Sequence, residues 1–222
     1  MHLLIKYPTR ARPKQFIETL GIYASKLARP DLCHILISAD LDDRAMRRHD
    51  VLAAINGCGV SASIHYGPNK SKIEAVNADM DQAPDPWDIV LLASDDMIPQ
   101  EHGYDEAIRI AMRENFPHTD GALWWWDGRQ DRINTIQCIG RLEYERLGYI
   151  YHPDYLSLWC DNEATDVGLR DKKLMYTGRC IIRNESPDWG GKQKRDELYR
   201  RNNKLYNVDR KTYESRKALG FP

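Results

Sequence analysis

The sequence predicts an α/β fold: one domain built around a mostly parallel central sheet, followed by a basic helical tail. Three observations point there. Short apolar runs alternate with amphipathic stretches of helical spacing through the first 93 residues, which is the pattern of strand–helix–strand units. The run Ile89–Ala93 is apolar throughout and ends in Ser94-Asp95-Asp96, as a central strand opening into a polar sheet edge would. From Arg179 to Pro222 there are 12 Lys or Arg against 6 Asp or Glu, whereas the preceding residues carry 20 against 27. A basic tail thus follows an acidic body, a balance that suits contact with phosphates or another polyanion, or an ordinary solvated helix.

Taken in order, Leu3–Tyr7 reads as a buried strand stopped by Pro8. The loop Pro8-Thr9-Arg10-Ala11-Arg12-Pro13 follows, with Pro13 placed to open a helix. Phe16, Ile17, Leu20, Tyr23 and Leu27 recur at helical spacing. His34–Ser38 predicts a second strand, closing in the acidic turn Ala39-Asp40-Leu41-Asp42-Asp43. A helix over Arg44–Asn56 and a third strand over Val60–Tyr66 come next. The loop Gly67–Lys72 leads into a helix through Ile73, Val76 and Met80, and Asp88–Ala93 is the fourth strand. Beyond about Glu114 the pattern loosens: Gly121–Trp126 and Ile136–Gly140 read as strands, and the chain from about Lys192 reads as helix.

Composition limits the function classes. With 222 residues the chain holds about 1.5 average domains, and 42% hydrophobic with 29% charged residues is globular composition. Mean hydropathy is −0.64, no apolar run is long enough for a membrane span, and the N-terminus does not read as a signal peptide. Five cysteines without a CxxC pair predict free thiols in a reducing cytoplasm and no structural zinc.

The chemistry concentrates at Asp95 and Asp96. Two adjacent carboxylates beside a low-dielectric core repel each other and lose solvation, so they call for a cation or for hydrogen-bond donors. Mg²⁺ or Mn²⁺ suits such a pair, since these ions take one or two carboxylates and complete their shell with water and substrate phosphates. A strand-end Asp capping the next turn is the simpler account of either one alone. Asp40, the Pro8-Thr9-Arg10 loop, and Asn69 to Lys72 fall on the same sheet edge as Asp95. Together they would bind a nucleotide, with an acid reading base and ribose and Arg or Lys neutralising phosphate.

On these residues the first hundred positions resemble the nucleotide-binding half of GT-A glycosyltransferases, particularly the compact family-2-like enzymes. The matching features are Pro8–Pro13 after strand one, Asp40 after strand two, Lys72, Ala75 and Asn77 on the helix after strand three, and Ala93-Ser94-Asp95-Asp96 at the DXD position. Ala93 stands where the usual first Asp would be, which moves part of that role to Asp96. The resemblance implies a catalytic domain over residues 1–178, with a nucleotide-binding half (1–100) and an acceptor half (101–178), then a basic extension over 179–222. It implies that Pro8, Thr9, Arg10, Asp40, Asn69, Lys72, Ser94 and Asp95 hold a nucleoside-diphosphate sugar, UDP first among the bases, and that Asp95 and Asp96 hold Mn²⁺ or Mg²⁺. Of the acids after the aromatic segment at Trp159, it implies that Asp161 or Glu163 deprotonates the acceptor hydroxyl in an inverting displacement. Asp161 ranks first, because it follows the apolar Leu158-Trp159-Cys160; capping of the next helix is the alternative for either.

Trp124-Trp125-Trp126 cannot all face one core, since side chains on a strand alternate. At least one should be exposed or line a sugar cleft, with a protein interface as the alternative; His152 is a weaker acceptor or metal candidate. The acceptor stays open between a glycan, a small molecule and a modified nucleic acid. Two other functions fit parts of this pattern: a nucleotidyltransferase, and a nucleic-acid-binding protein that uses the basic tail.

Overall fold

The structure is a computed structural model that describes residues 1–192 and 195–221; Lys194, one of the basic residues of the tail, lies outside them. The strands are β1 (Leu3–Thr9), β2 (Cys33–Asp40), β3 (Ser61–Gly67), β4 (Ile89–Leu92), β5 (Met97–Pro99), β6 (Ala122–Trp124), β7 (Cys138–Gly140), β8 (Leu174–Tyr176) and β9 (Ile182–Asn184). The α-helices are α1 (Pro13–Ser25), α2 (His49–Gly57), α3 (Lys72–Asn77), α4 (Tyr104–Asn115), α5 (Arg141–Leu147), α6 (Cys160–Arg170), α7 (Glu197–Asn203) and α8 (Tyr206–Ala218). Among the described residues the main sheet runs β3-β2-β1-β4-β7-β6-β8, and β5 pairs with β9 in a separate ribbon.

The four strands expected from the first half pair in parallel, as β3-β2-β1-β4. Alternate residues of β1 feed two cores, as a strand covered on both faces requires. Leu3, Ile5 and Tyr7 pack with Phe16, Leu20, Ile35, Ile37 and Ile108, while Leu4 packs with Leu36, Ile73, Val76 and Val90. Strand β7 interrupts the parallel pairing, running antiparallel to both β4 and β6, while β6 and β8 pair in parallel.

Several elements are shorter than the sequence suggests, each for a local reason. The helix expected over Arg44–Asn56 splits into a 3-10 turn at Arg44–Arg47 and α2, because the Asp43 carboxylate takes the N–H groups of Ala45 (3.0 Å) and Ala11 (2.6 Å). Helix α3 ends before Met80: buried Lys6 donates to the carbonyl of Ala78 (2.6 Å), and Asp79 takes a left-handed φ of 58°. Strand β6 stops at Trp124, because the following chain wraps around the buried Asp127 carboxylate. That carboxylate accepts from the N–H groups of Arg129 (2.8 Å) and Gln130 (2.9 Å) and from the Thr135 hydroxyl (2.8 Å).

The basic tail folds back on the body: α8 packs against α6, and α7 borders the sheet edge at the carboxyl ends of β1 and β4. Trp159 meets the Tyr213 ring at 5.1 Å, and Arg216 reaches Glu163 at 2.8 and 2.9 Å. All five cysteines are free thiols. Among the described residues, no helix is long and apolar enough to cross a membrane.

Candidate active site

At the carboxyl ends of β1, β2 and β4 a cleft of about 1160 Å³, its open mouth included, is lined by Pro8, Thr9, Arg10, Arg12, Asp40, Lys70, Ser71, Lys72, Ala75, Ser94, Asp95 and Asp96. This is where an open parallel sheet binds ligands. Strand β1 delivers Pro8 and Thr9 and then turns sharply, with Ala11 at φ 58°, so that Arg10 and Arg12 diverge. Arg10 pairs with Asp40 at the end of β2 and with both oxygens of Asp42 (2.8 and 3.0 Å). Arg12 donates to both oxygens of Asp95 (3.0 and 3.2 Å) and, through two further N–H groups, to Asp196 (2.6 and 2.7 Å).

Lys72 stands in the first turn of α3 because Ser71 caps that helix. The Ser71 hydroxyl accepts from the Glu74 N–H (3.0 Å), and Glu74 reaches back to the Lys70 N–H (2.7 Å), in the manner of a capping box. Asp95 and Asp96 follow directly from the buried β4. Burial, and then the neighbouring charge of Asp96, push the Asp95 carboxyl up to about 6, against the pull of Arg12. Asp96 accepts from the Ser94 hydroxyl.

The chemistry of this pair fits a divalent cation. Two like charges at a half-buried strand end raise each other's cost, and a dication relieves it. No group of three or more His, Cys, Asp or Glu side chains able to hold a metal occurs among the described residues. Mg²⁺ and Mn²⁺ take one or two protein carboxylates and complete their shell with water and phosphate oxygens, so two carboxylates are enough donors for such an ion.

Of the expected donor residues, Pro8, Thr9, Arg10, Asp40, Lys72, Ser94 and Asp95 come together in the cleft, as does Asp96. Asn69 does not line it; its amide lies beneath Gly67. Asp161 stands in the first turn of α6, and burial raises its carboxyl while the charge of Lys72 opposes the rise. Neither Asp161 nor Glu163 caps α6, since Trp159 holds that position without a side-chain cap.

Glu163 is spent on Arg216 and accepts from the Tyr155 hydroxyl (2.8 Å). With His152 it lines a second, mostly apolar cavity between α5, α6 and the sheet, with room for only about 40 Å³ of solvent. The His152 ring meets the edge of Tyr149 at 4.9 Å. The tryptophans stay outside the cleft. Trp125 joins the core with Ile136 and Cys138, Trp124 packs on Tyr176 at 4.8 Å, and Trp126 is 40% exposed.

Sequence reasoning missed most of the far wall of the cleft: Ser157, Leu158, Ser186, Asp188, and from the tail Asn202, Asn203 and Leu205; Arg201, Leu198 and Tyr199, which the sequence marks as a basic residue and two apolar anchors of the tail helix, line that wall too. Arg12 and Asp196 are 184 residues apart, and no local pattern announces such a pair. Arg12 itself stands in the Pro8–Pro13 loop that drew attention, although no role attached to it.

No family model and no curated protein sequence matches the chain. Solved structures do. S. aureus TarS 1-349 in complex with UDP-GlcNAc superposes with a TM-score of 0.64 at 12% identity, over 89% of this chain and 60% of that one. A mannosyltransferase from Pyrobaculum calidifontis, in complex with GDP-Man and Mn²⁺, gives 0.62 at 13% identity, over 81% of this chain and 55% of that one. A 4-diphosphocytidyl-2C-methyl-D-erythritol synthase from Anaerococcus prevotii gives 0.55 at 13%, over 80% and 89%. The chain therefore spans about half to three fifths of the length of the two transferase chains it resembles. The likeness, together with the parallel β3-β2-β1-β4 sheet and the acidic pair after β4, gives the fold: this is a GT-A, Rossmann-like α/β domain.

Proposed function

We propose that the protein is a glycosyltransferase that moves a sugar from a nucleoside-diphosphate donor to an acceptor hydroxyl. The observation that carries this reading is the convergence, on one sheet edge of a GT-A fold, of Asp40 with Arg10, Lys72, and the Asp95–Asp96 pair. Asp40 and Thr9 suit the base and ribose, while Arg10 and Lys72 supply positive charge for the diphosphate. Asp95 and Asp96 would hold Mn²⁺ or Mg²⁺, which when bound neutralises charge on the departing diphosphate; the neighbour with GDP-Man and Mn²⁺ supports that assignment.

In the transfer, the bond between the anomeric carbon and the diphosphate oxygen breaks, and its electron pair leaves with the diphosphate. A bond forms from the acceptor oxygen to the same carbon, and the acceptor proton passes to a carboxylate, which we assign to Asp161. Burial makes Asp161 a stronger base than an exposed aspartate, whereas Glu163 is already paired with Arg216. A base acting opposite the leaving group would invert the configuration; Asp161 stands beside the cleft segment Ser157–Leu158 and is not itself among the cleft-lining residues. The tail, with Arg200, Arg201 and Lys204 exposed on or beside α7, suits an acceptor that carries phosphates.

A direct test incubates the protein with UDP- and GDP-sugars and Mn²⁺ and follows release of nucleoside diphosphate. Release by the wild type, and its loss in Asp95→Asn, is expected; no release from any donor would overturn the reading. The likeness to a diphosphocytidyl product synthase favours a second reading, nucleotidyl transfer. That reaction would instead release pyrophosphate from a nucleoside triphosphate.

A further inference from the structure

Ser157 lies deep in the wall of the cleft and is 2% exposed. Its Oγ has no hydrogen-bond partner among the described residues. A buried hydroxyl without a partner is uncommon, because the group gives up water for nothing. The backbone around it is unusually well fixed. The carboxylate of Asp209, fully buried on α8, accepts from the N–H groups of Leu156 (2.9 Å), Ser157 (2.9 Å) and Leu158 (2.8 Å). The Leu156 carbonyl accepts from the Ile73 N–H of α3 (3.3 Å). The chain therefore holds a free hydroxyl in a rigid position beside the cleft.

From these facts we infer that Ser157 is a donor-sugar contact, its Oγ hydrogen-bonding a hydroxyl of the transferred sugar; the inference rests on the glycosyltransferase reading above. Two arguments select the sugar over the rest of the donor. The cleft already supplies Lys70, Lys72 and Arg201 for anionic groups, and a neutral hydroxyl beside Leu158 matches a neutral polyol better than a phosphate. Ser157 also lies four residues before Asp161 on the segment entering α6. The transferred sugar must sit between that base and the diphosphate.

The test compares wild type and Ser157→Ala by calorimetric titration with UDP, GDP and the corresponding nucleotide sugars, with Mn²⁺ present, alongside thermal melts of the free proteins. The variant should bind the nucleoside diphosphates as the wild type does, bind the productive nucleotide sugar roughly three- to tenfold more weakly, and keep its melting temperature. Unchanged nucleotide-sugar affinity overturns the inference, as does an equal loss for the bare diphosphate, which would move the contact to the phosphates. A lower melting temperature without the selective loss would make Ser157 a structural residue. If the wild type binds no nucleotide at all, the glycosyltransferase reading itself fails.

Discussion

Asp95 carries two opposed demands: it is buried enough to be pushed towards protonation and charged enough to hold Arg12. Replacing it with Asn removes the repulsion from Asp96, and Arg12 keeps its two bonds to Asp196. The Asp95→Asn variant should therefore melt no lower than the wild type while losing Mn²⁺-dependent nucleotide binding, as read by thermal shift and calorimetry. A stable variant with undiminished binding would remove the metal from the account. The two acids of α6 separate in the same way. Asp161→Asn should lower kcat by roughly 10² to 10⁴ at nearly constant donor affinity, the usual loss of a general base. Glu163→Gln should instead weaken the pairing with Arg216 and cost about 1.5–3 kcal/mol in urea unfolding, because its carboxylate is a buried charge partner. The reverse pattern would exchange the roles.

Between β1, β2 and α3 a buried network joins elements that sequence periodicity shows only singly. Lys6 donates to Ser38 and to the Ala78 carbonyl, and Ser38 donates to Asp79. Burial lowers the Lys6 ammonium from its ordinary 10.5 to about 8, with Asp79 pulling the other way. Folding thus disfavours its protonated form. Between pH 8 and 10.5 the unfolded chain binds more protons than the folded one, so this residue's contribution to stability rises with pH across that window and is least favourable below it. Relative to Lys6→Met, the wild type should gain on the order of 2–3 kcal/mol from pH 8 to 10.5, measured by urea unfolding at each pH. A flat difference would show that the lysine does not titrate there. On α8, Asp209→Asn should cost about 1.5–3 kcal/mol by removing the charge that holds three N–H groups. It should also weaken nucleotide-sugar binding more than nucleoside-diphosphate binding. The first four strands and their helices were legible because hydrophobic periodicity is local. The ends of α2, α3 and β6 were not, because Asp43, Lys6 and Asp127 set them through bonds to backbone outside the periodic pattern.

Across the whole molecule, the near half of the cleft could be read from the chain, since parallel connectivity sends β1, β2 and β4 to one edge whatever their side chains. The far half could not. It is closed by a tail whose sequence reads as a charged helix, and which is tied to the site by contacts such as the Arg12–Asp196 pair and the Asp209 carboxylate. The same long-range placement explains why the tryptophan run, conspicuous in sequence, lies off the cleft on the β6–β8 side of the sheet. The basic tail and the acidic body are thus two walls of one site. We propose that this site holds a nucleoside-diphosphate sugar together with a divalent ion. Calorimetric titration of the full chain with UDP, GDP, UDP-GlcNAc and GDP-mannose, with Mn²⁺ and then with EDTA, tests it most directly. Saturable binding of one nucleoside diphosphate and its sugar, strengthened by Mn²⁺ and lost in Asp95→Asn, is the expected result. No binding of any of the four, with or without Mn²⁺, would contradict it.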